Sequence, residues 1–206
     1  MYCFTKRLFD IAVSLCVLLP ALPILIIIYC CIRLTMGAPV FFRQLRPGLK
    51  GRPFQLIKFR PMRHLASGED AAATDAFRLT RLGRTLRAFS LDELPTLFNV
   101  LNGSMSLVGP RPLLMQYVAR YSPEQSRRLE AQPGVTGWAQ VNGRNAISWE
   151  EKFKLDVWYV DNRSFGLDLK IIWLTALSVL KREGISHAGE ATMPEFMGTE
   201  KPEQGR

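Results

Sequence analysis

Ile11-Ala12-Val13-Ser14-Leu15-Cys16-Val17-Leu18-Leu19-Pro20-Ala21-Leu22-Pro23-Ile24-Leu25-Ile26-Ile27-Ile28-Tyr29-Cys30-Cys31-Ile32 is a run of 22 residues without a charge. At about 1.5 Å per residue, a helix of that length crosses a hydrocarbon core of about 30 Å. A buried core helix of a soluble protein is rarely so long. A signal peptide is not expected either, because the run is long and no small-residue cleavage site follows convincingly. Two features argue against a straight span. Pro20 and Pro23 fall mid-run, and each removes a helix hydrogen bond and kinks the rod. Both flanks are also basic: Lys6 and Arg7 stand before the run, and Arg33, Arg43, Arg46, Lys50, Arg52, Lys58, Arg60 and Arg63 follow it. No Asp or Glu intervenes between Asp10 and Glu69. Positive flanks favour the cytoplasmic side. If both obey that rule, the segment enters and returns on one face as a broken, re-entrant helix. A single bitopic span is the alternative.

Beyond the run, Val40-Phe41-Phe42 and Phe54-Gln55-Leu56-Ile57 read as two strands, with Pro47-Gly48 and Gly51 turning between them. Lys58-Phe59-Arg60 would end the second strand. Its cations either touch anionic lipid or ligate phosphate. Met62 to Thr80 lacks periodicity and reads as a loop. A helix is expected from about Phe77 to Ala88, bearing Arg78, Arg81, Arg84 and Arg87 at a period of three.

Ser90-Leu91-Asp92-Glu93-Leu94-Pro95-Thr96-Leu97-Phe98-Asn99-Val100-Leu101-Asn102-Gly103 reads as a short helix with an acidic head. Ser90 and Glu93 have capping-box spacing, Leu94, Leu97, Phe98 and Leu101 form an apolar face, Pro95 is tolerated in the first turn, and Gly103 stops it. Asp92 and Glu93 carry two readings. They are first-turn acids that complement the helix dipole. Alternatively, flanked by the arginines upstream and by Gly109-Pro110-Arg111-Pro112 downstream, they are a carboxylate pair that attacks a phosphorus whose charge the cations neutralise.

Gly134 to Asn145 is rich in Gly and amide side chains and reads as a loop able to wrap a polar ligand, or as an ordinary structured loop. Ser148 to Asn162 is a helix with a Ser148…Glu151 capping box. Leu167 to Lys181 is a second helix; with Trp173 and the nearby Trp158 and Tyr159 it lies at a membrane interface or packs on the core. Ala188 to Arg206 reads as a loose tail.

Net charge is +9 in 206 residues, which points to an anionic partner: lipid head groups, nucleotide phosphates or nucleic acid. A nucleic-acid platform would interleave stacking aromatics with its cations, and the 78–87 stripe has only Phe77 and Phe89 at its ends. Cys3, Cys16, Cys30 and Cys31 read as small buried hydrophobes, not disulfides or a zinc site. The two histidines, His64 and His187, are far apart and give no support for histidine-based metal binding.

Lys6-Arg7-Leu8-Phe9-Asp10, Lys58-Phe59-Arg60, Ser90-Leu91-Asp92-Glu93-Leu94, Leu107-Val108-Gly109-Pro110-Arg111-Pro112 and the Pro133–Asn145 run together resemble the bacterial sugar transferase family, over about Lys6 to Ile185. These are small monotopic phosphoglycosyl transferases that start glycan assembly on polyprenyl phosphate. The resemblance implies a mainly α fold with a small β-hairpin, in a monotopic membrane protein with a broken re-entrant N-terminal helix. Its parts would be a membrane helix (1–36), a catalytic domain with interfacial amphipathic helices (37–187) and a flexible tail (188–206). It implies transfer of sugar-1-phosphate from a UDP-sugar to undecaprenyl phosphate, releasing UMP, with Mg²⁺, at the cytoplasmic face of the bacterial inner membrane. Asp92 would be the nucleophile and Glu93 its partner, both near the metal. Lys58, Arg60, Arg87 and Arg111 would meet phosphates, and Gln140, Asn142 and Arg144 the nucleotide sugar. Membrane lipids are expected partners, nucleic acid is not, and a homodimer is allowed. Two departures stand out. Leu22-Pro23, with an extra Pro20, replaces the Ser-Pro pair common at the family's helix break, and Pro61 stands where threonine is common. Additional membrane helices that larger members carry ahead of the catalytic part are not expected.

Overall fold

A computed structural model of the chain describes residues 2–63, 78–143, 147–181 and 195–198. The uncharged run lies inside one helix, α1 (Tyr2–Met36), which keeps both Pro20 and Pro23. At about 1.5 Å per residue it is roughly 50 Å long. Its buried residues, Asp10, Ser14, Leu18, Leu25, Ile28 and Ile32, form one narrow stripe. Leu15, Leu19, Leu22, Ile24, Ile26 and Ile27 are exposed around the rest. A helix apolar all round and yet uncovered by protein is a membrane segment. Cys3, Cys16 and Cys30 also lie on this open surface and Cys31 is half-buried, so the cysteines are not core residues as expected; all four are free thiols. The stripe that packs on the protein passes through other positions.

The base of α1 is fixed by charge. Asp10 is buried and accepts from Ser106 Oγ at 2.7 Å and from the Leu107 N–H at 3.3 Å. Lys6 Nζ pairs with Asp168 at 2.9 Å. Arg7 donates to the carbonyls of Val100 (2.5 Å) and Leu101 (2.8 Å). Those are the final carbonyls of a short helix, where the regular helical hydrogen bonds run out, although Val100 O also accepts from the Gly103 N–H at 3.1 Å.

After α1 comes the expected hairpin, β1 (Phe41–Pro47) and β2 (Pro53–Phe59), antiparallel with Phe41 opposite Phe59 and Phe42 opposite Lys58. The next helix, α2 (Arg81–Ala88), starts later than Phe77, because Thr80 caps it by accepting from the Gly83 N–H. The Met62–Thr80 loop lies largely outside the described residues.

The acidic stretch departs from one capped helix. Leu91–Glu93 is a 3₁₀ turn, and α3 runs only from Thr96 to Leu101. Ser90 is left-handed, at φ 54°, and its side chain caps nothing. Pro95 explains the division. It has no N–H to return to Leu91, so the chain uses three-residue bonds (Leu94 N to Leu91 O, 3.3 Å; Phe98 N to Pro95 O, 3.1 Å) and the α-helix begins only after it. The buried face is Thr96, Leu97, Asn99 and Val100, while Phe98 is exposed. Asn99 turns inward because its amide serves the free edge of β2, accepting from Ile57 N at 3.1 Å and donating to Gln55 O at 2.8 Å. Gly103 stops the helix as expected, at φ +84°.

Two short strands follow, β3 (Ser106–Val108) and β4 (Gly134–Thr136), paired in parallel. Gly134 to Asn145 is therefore not one loop: it supplies β4 and a short helix, α4 (Trp138–Asn142). The glycines serve close backbone approach. A Cβ on Gly134 would come within 2.1 Å of the Gly109 nitrogen. Ser148 caps α5 (Trp149–Asn162) as expected, accepting from the Glu151 N–H, and α6 (Phe165–Lys181) follows. Trp158 and Trp173 are exposed, as an interfacial reading requires, but Tyr159 is buried with its hydroxyl on Asp168 at 2.7 Å. The tail is not loose throughout. Phe196 is buried among Tyr117, Tyr121, Trp149 and Phe153, and Arg120 pairs with Glu195 at 2.8 Å.

Candidate active site

A cavity of about 950 Å³ opens between the end of α1, the hairpin and the start of the acidic stretch. Its wall includes Tyr29 and Arg33 from α1, Arg43 and Arg46 from β1, Lys58 and Arg60 from β2 and its end, Arg63, Arg78, Arg87 from α2, and Asp92. Among the described lining residues Asp92 is the single carboxylate in a wall of cations. Such a cavity selects an anion that carries several charges.

The two adjacent carboxylates have different surroundings. Glu93 accepts on one oxygen, Oε1, from both Lys58 Nζ and Arg111 Nη2, each at 2.6 Å. Burial alone would raise its pKa, but Arg111 and Lys58 outweigh that and hold the carboxyl well below the usual carboxylate range. Glu93 in turn raises the pKa of Arg111. Asp92 is 8 % exposed and, among the described residues, forms no ion pair. Burial, and then the charge of Glu93, push its pKa up against the pull of Lys58 and Arg87. One carboxylate is thus neutralised and held still, and its neighbour faces the cavity desolvated and without a counter-ion among the described residues. Desolvated anions are the stronger nucleophiles.

The fold explains this placement. The 3₁₀ turn that Pro95 enforces turns Asp92 toward the cavity and Glu93 toward Lys58 and Arg111. Asn99 locks α3 to β2, and Arg7 locks its other end to α1. Arg111 is steadied through its carbonyl, which accepts from Arg128 Nη2 at 2.7 Å.

The structure therefore brings together Asp92, Glu93, Lys58, Arg60, Arg87 and Arg111. Gln140 and Asn142 do not line the cavity; their amides donate to Val135 O and Trp138 O within their own segment. Arg144, His64 and His187 lie outside the described residues. Pro20, Leu22 and Pro23 are in α1, with Leu22 exposed. Among the described residues no cluster of three or more His, Cys, Asp or Glu side chains could enclose a metal. Asp92 and Glu93 are hard oxygen donors of the kind Mg²⁺ shares with substrate phosphates. Among the described residues Asp92 forms no ion pair and Glu93 keeps one oxygen clear of its two cations, so the pair fits such a shared ion.

Sequence reasoning passed over Arg46. It is half-buried, donates to Gln44 Oε1 at 2.5 Å, and keeps a buried Nε without a partner among the described residues. Burial, then Arg111, push its pKa down to about 10. Its alternation with Gln44 along a basic strand beside an aromatic pair was the available signal.

The profile of the bacterial sugar transferase family matches residues 1–182. An uncharacterized sugar transferase, EpsL of Bacillus subtilis, is 53% identical over 194 residues, covering 94% of this chain and 96% of that protein. A UDP-glucose:undecaprenyl-phosphate glucose-1-phosphate transferase of Caulobacter vibrioides is 42% identical, over 85% of this chain and 69% of its own length. An undecaprenyl-phosphate galactose phosphotransferase of Salmonella typhimurium is 38% identical over 88% of this chain, which spans only 41% of that protein.

Proposed function

The chain belongs to the bacterial sugar transferase family, and from that premise we propose that it transfers sugar-1-phosphate from a UDP-sugar to undecaprenyl phosphate, releasing UMP, as the first membrane step of glycan assembly. The relatives named for this reaction support the two substrates. The buried Asp92, without an ion pair among the described residues and beside a Glu93 that already holds two cations, carries the chemistry.

In the first step an oxygen of the Asp92 carboxylate attacks the β-phosphorus. The bond from that phosphorus to the bridging oxygen breaks, and UMP leaves with the oxygen and its electron pair. The sugar phosphate is then an acyl phosphate on Asp92. In the second step an oxygen of the lipid phosphate attacks the same phosphorus, and the Asp92 carboxylate departs restored. Division into two displacements lets a soluble donor and a lipid acceptor use one small site in turn. Lys58, Arg87 and Arg111 offset the phosphate charge near the reacting centre. Mg²⁺, held by Asp92 and Glu93 with the diphosphate, would supply further charge neutralisation as UMP leaves.

A re-entrant α1 on the cytoplasmic face completes this reading. Lys6, Arg7 and Asp10 tie one end of α1 to the domain, and Arg60 ties the other through Met36 O and Gly37 O. A helix with both ends fastened to one polar domain keeps both ends on one side of a bilayer. Pro20 and Pro23 provide the flexure.

The reaction is tested with donor labelled in the sugar phosphate and no lipid. Wild type is expected to take covalent label and release one equivalent of UMP, and Asp92→Asn neither. Label on Asp92→Asn overturns Asp92 as the nucleophile.

A further inference from the structure

Arg60 stands one residue beyond β2, and its N–H still donates to Val40 O at 3.0 Å, so the strand's alternation carries through it. Lys58 and Arg60 therefore project from one face, about 7 Å apart by the rise of a strand. Both line the cavity with Asp92. Their roles differ. Lys58 is committed to Glu93. Arg60 uses a single nitrogen, Nη2, on Met36 O at 2.7 Å and Gly37 O at 2.9 Å, where α1 ends. It is only 5 % exposed, and its Nε and Nη1 are buried without a partner among the described residues. Leaving charged donors buried and unpaired is costly, and an anion removes the cost. Arg33, Arg43 and Arg63 are exposed, so water already serves them.

The wall beside Arg60 indicates which anion. Tyr29 of α1, Phe41 and Met62 line the same cavity, and the Tyr29 and Phe41 rings lie 6.1 Å apart. An apolar wall that continues into the membrane helix suits an isoprenoid chain.

We propose that Arg60 receives the phosphomonoester of the lipid acceptor, so that the acceptor phosphate binds at the end of α1 once UMP has left the Lys58–Glu93–Arg111 end. This rests on the transferase reaction proposed above. By gripping the last carbonyls of α1, Arg60 also sets the height of the acceptor phosphate relative to the membrane segment. It acts on recognition of one substrate and makes or breaks no bond.

Two measurements test it. In the first, Arg60→Lys keeps the charge but loses donors. Its transfer from labelled enzyme to undecaprenyl phosphate is expected to fall at least tenfold more than its labelling by donor, with a raised KM for the lipid. An equal fall in both half-reactions, or no fall, overturns the proposal. A wild type that takes no label instead overturns the reaction itself. The second needs no turnover. Undecaprenyl phosphate and undecaprenol are titrated into Asp92→Asn protein in phosphatidylcholine nanodiscs, with and without Arg60→Lys. The substitution is expected to weaken binding of the phosphate about tenfold and leave the alcohol unchanged. Equal weakening of both, saturation by phosphatidylcholine alone, or displacement by millimolar inorganic phosphate overturns it. Matched thermal unfolding of the two proteins excludes a lost fold as the cause.

Discussion

Two clusters of arginine and carboxylate sit close together, and they are built to opposite ends. Arg128 and Asp156 are each 2 % exposed in their side chains. Every guanidinium nitrogen of Arg128 has a partner: Nε and Nη2 donate to Asp156 Oδ2, Nη1 to the Tyr121 hydroxyl, and Nη2 also to Arg111 O. The cluster around Asp92 is unfinished. Glu93 is satisfied, but Asp92 has no ion pair among the described residues, and Arg46 and Arg60 keep buried donors without partners. A buried polar network that is complete stabilises one structure; one left incomplete beside a cavity awaits a ligand. Residue types do not separate the two cases. Satisfaction of donors and acceptors does.

The largest effect that tests this contrast is at Asp92. Asn cannot attack phosphorus usefully, so Asp92→Asn is expected to lower UMP release more than about 10³-fold. It is also expected to raise the melting temperature at neutral pH. The folded-state pKa of Asp92 lies above its unfolded value, so folding is favoured while the group is protonated, and that contribution is lost as pH rises through the folded pKa. The amide never ionises and avoids the loss. A variant both inactive and less stable would place Asp92 with the structural carboxylates.

Asp156→Ala should do the reverse. It strands a buried guanidinium, at a cost of about 3–5 kcal/mol in denaturant unfolding. Donor labelling of the molecules that remain folded is expected to change less than tenfold, since Arg128 reaches the site only through the Arg111 carbonyl. Unaltered unfolding there would mean that the closed cluster is not structural.

The same contrast explains how much could be read without coordinates. The membrane segment, the hairpin, α5 and α6 carry local signals: a charge-free run, Pro47-Gly48 between apolar strands, Ser148 three residues before Glu151. The pairing of Asp92 with Glu93 was visible, and so was the wealth of arginine. Which acid is held and which is free was not, because Lys58 and Arg111 reach Glu93 from 35 and 18 residues away. Asn99 reads as a helix-face residue until β2 lies beside it. The Gly134–Asn145 stretch reads as a ligand loop because glycine marks close approach without saying to what, and here the approach is of β4 to the chain after β3. Phe196 is hidden for a related reason: nothing in a polar tail announces that four aromatic rings elsewhere leave room for a fifth.

Glu93→Gln gives smaller effects and sharpens the contrast inside the site. A neutral amide holds Lys58 and Arg111 less firmly, and the rate is expected to fall about 10²-fold with the fold retained. Its pH profile carries the finer information. Wild-type labelling by donor should fall tenfold per unit on the acid side of the Asp92 pKa, which burial and Glu93 hold above the ordinary carboxylate value. Glu93 itself stays ionised well below that range, so it adds no limb of its own within the working range. Removing its charge takes a negative neighbour from Asp92 and leaves Lys58 and Arg111 free to act on Asp92 alone. Both changes favour the ionised form, so the acid limb of Glu93→Gln should move to lower pH while the plateau drops. A limb that stays in place, or moves up, would mean that Asp92 does not titrate beside Glu93 in the working enzyme, and the division between a held and a free carboxylate would fail.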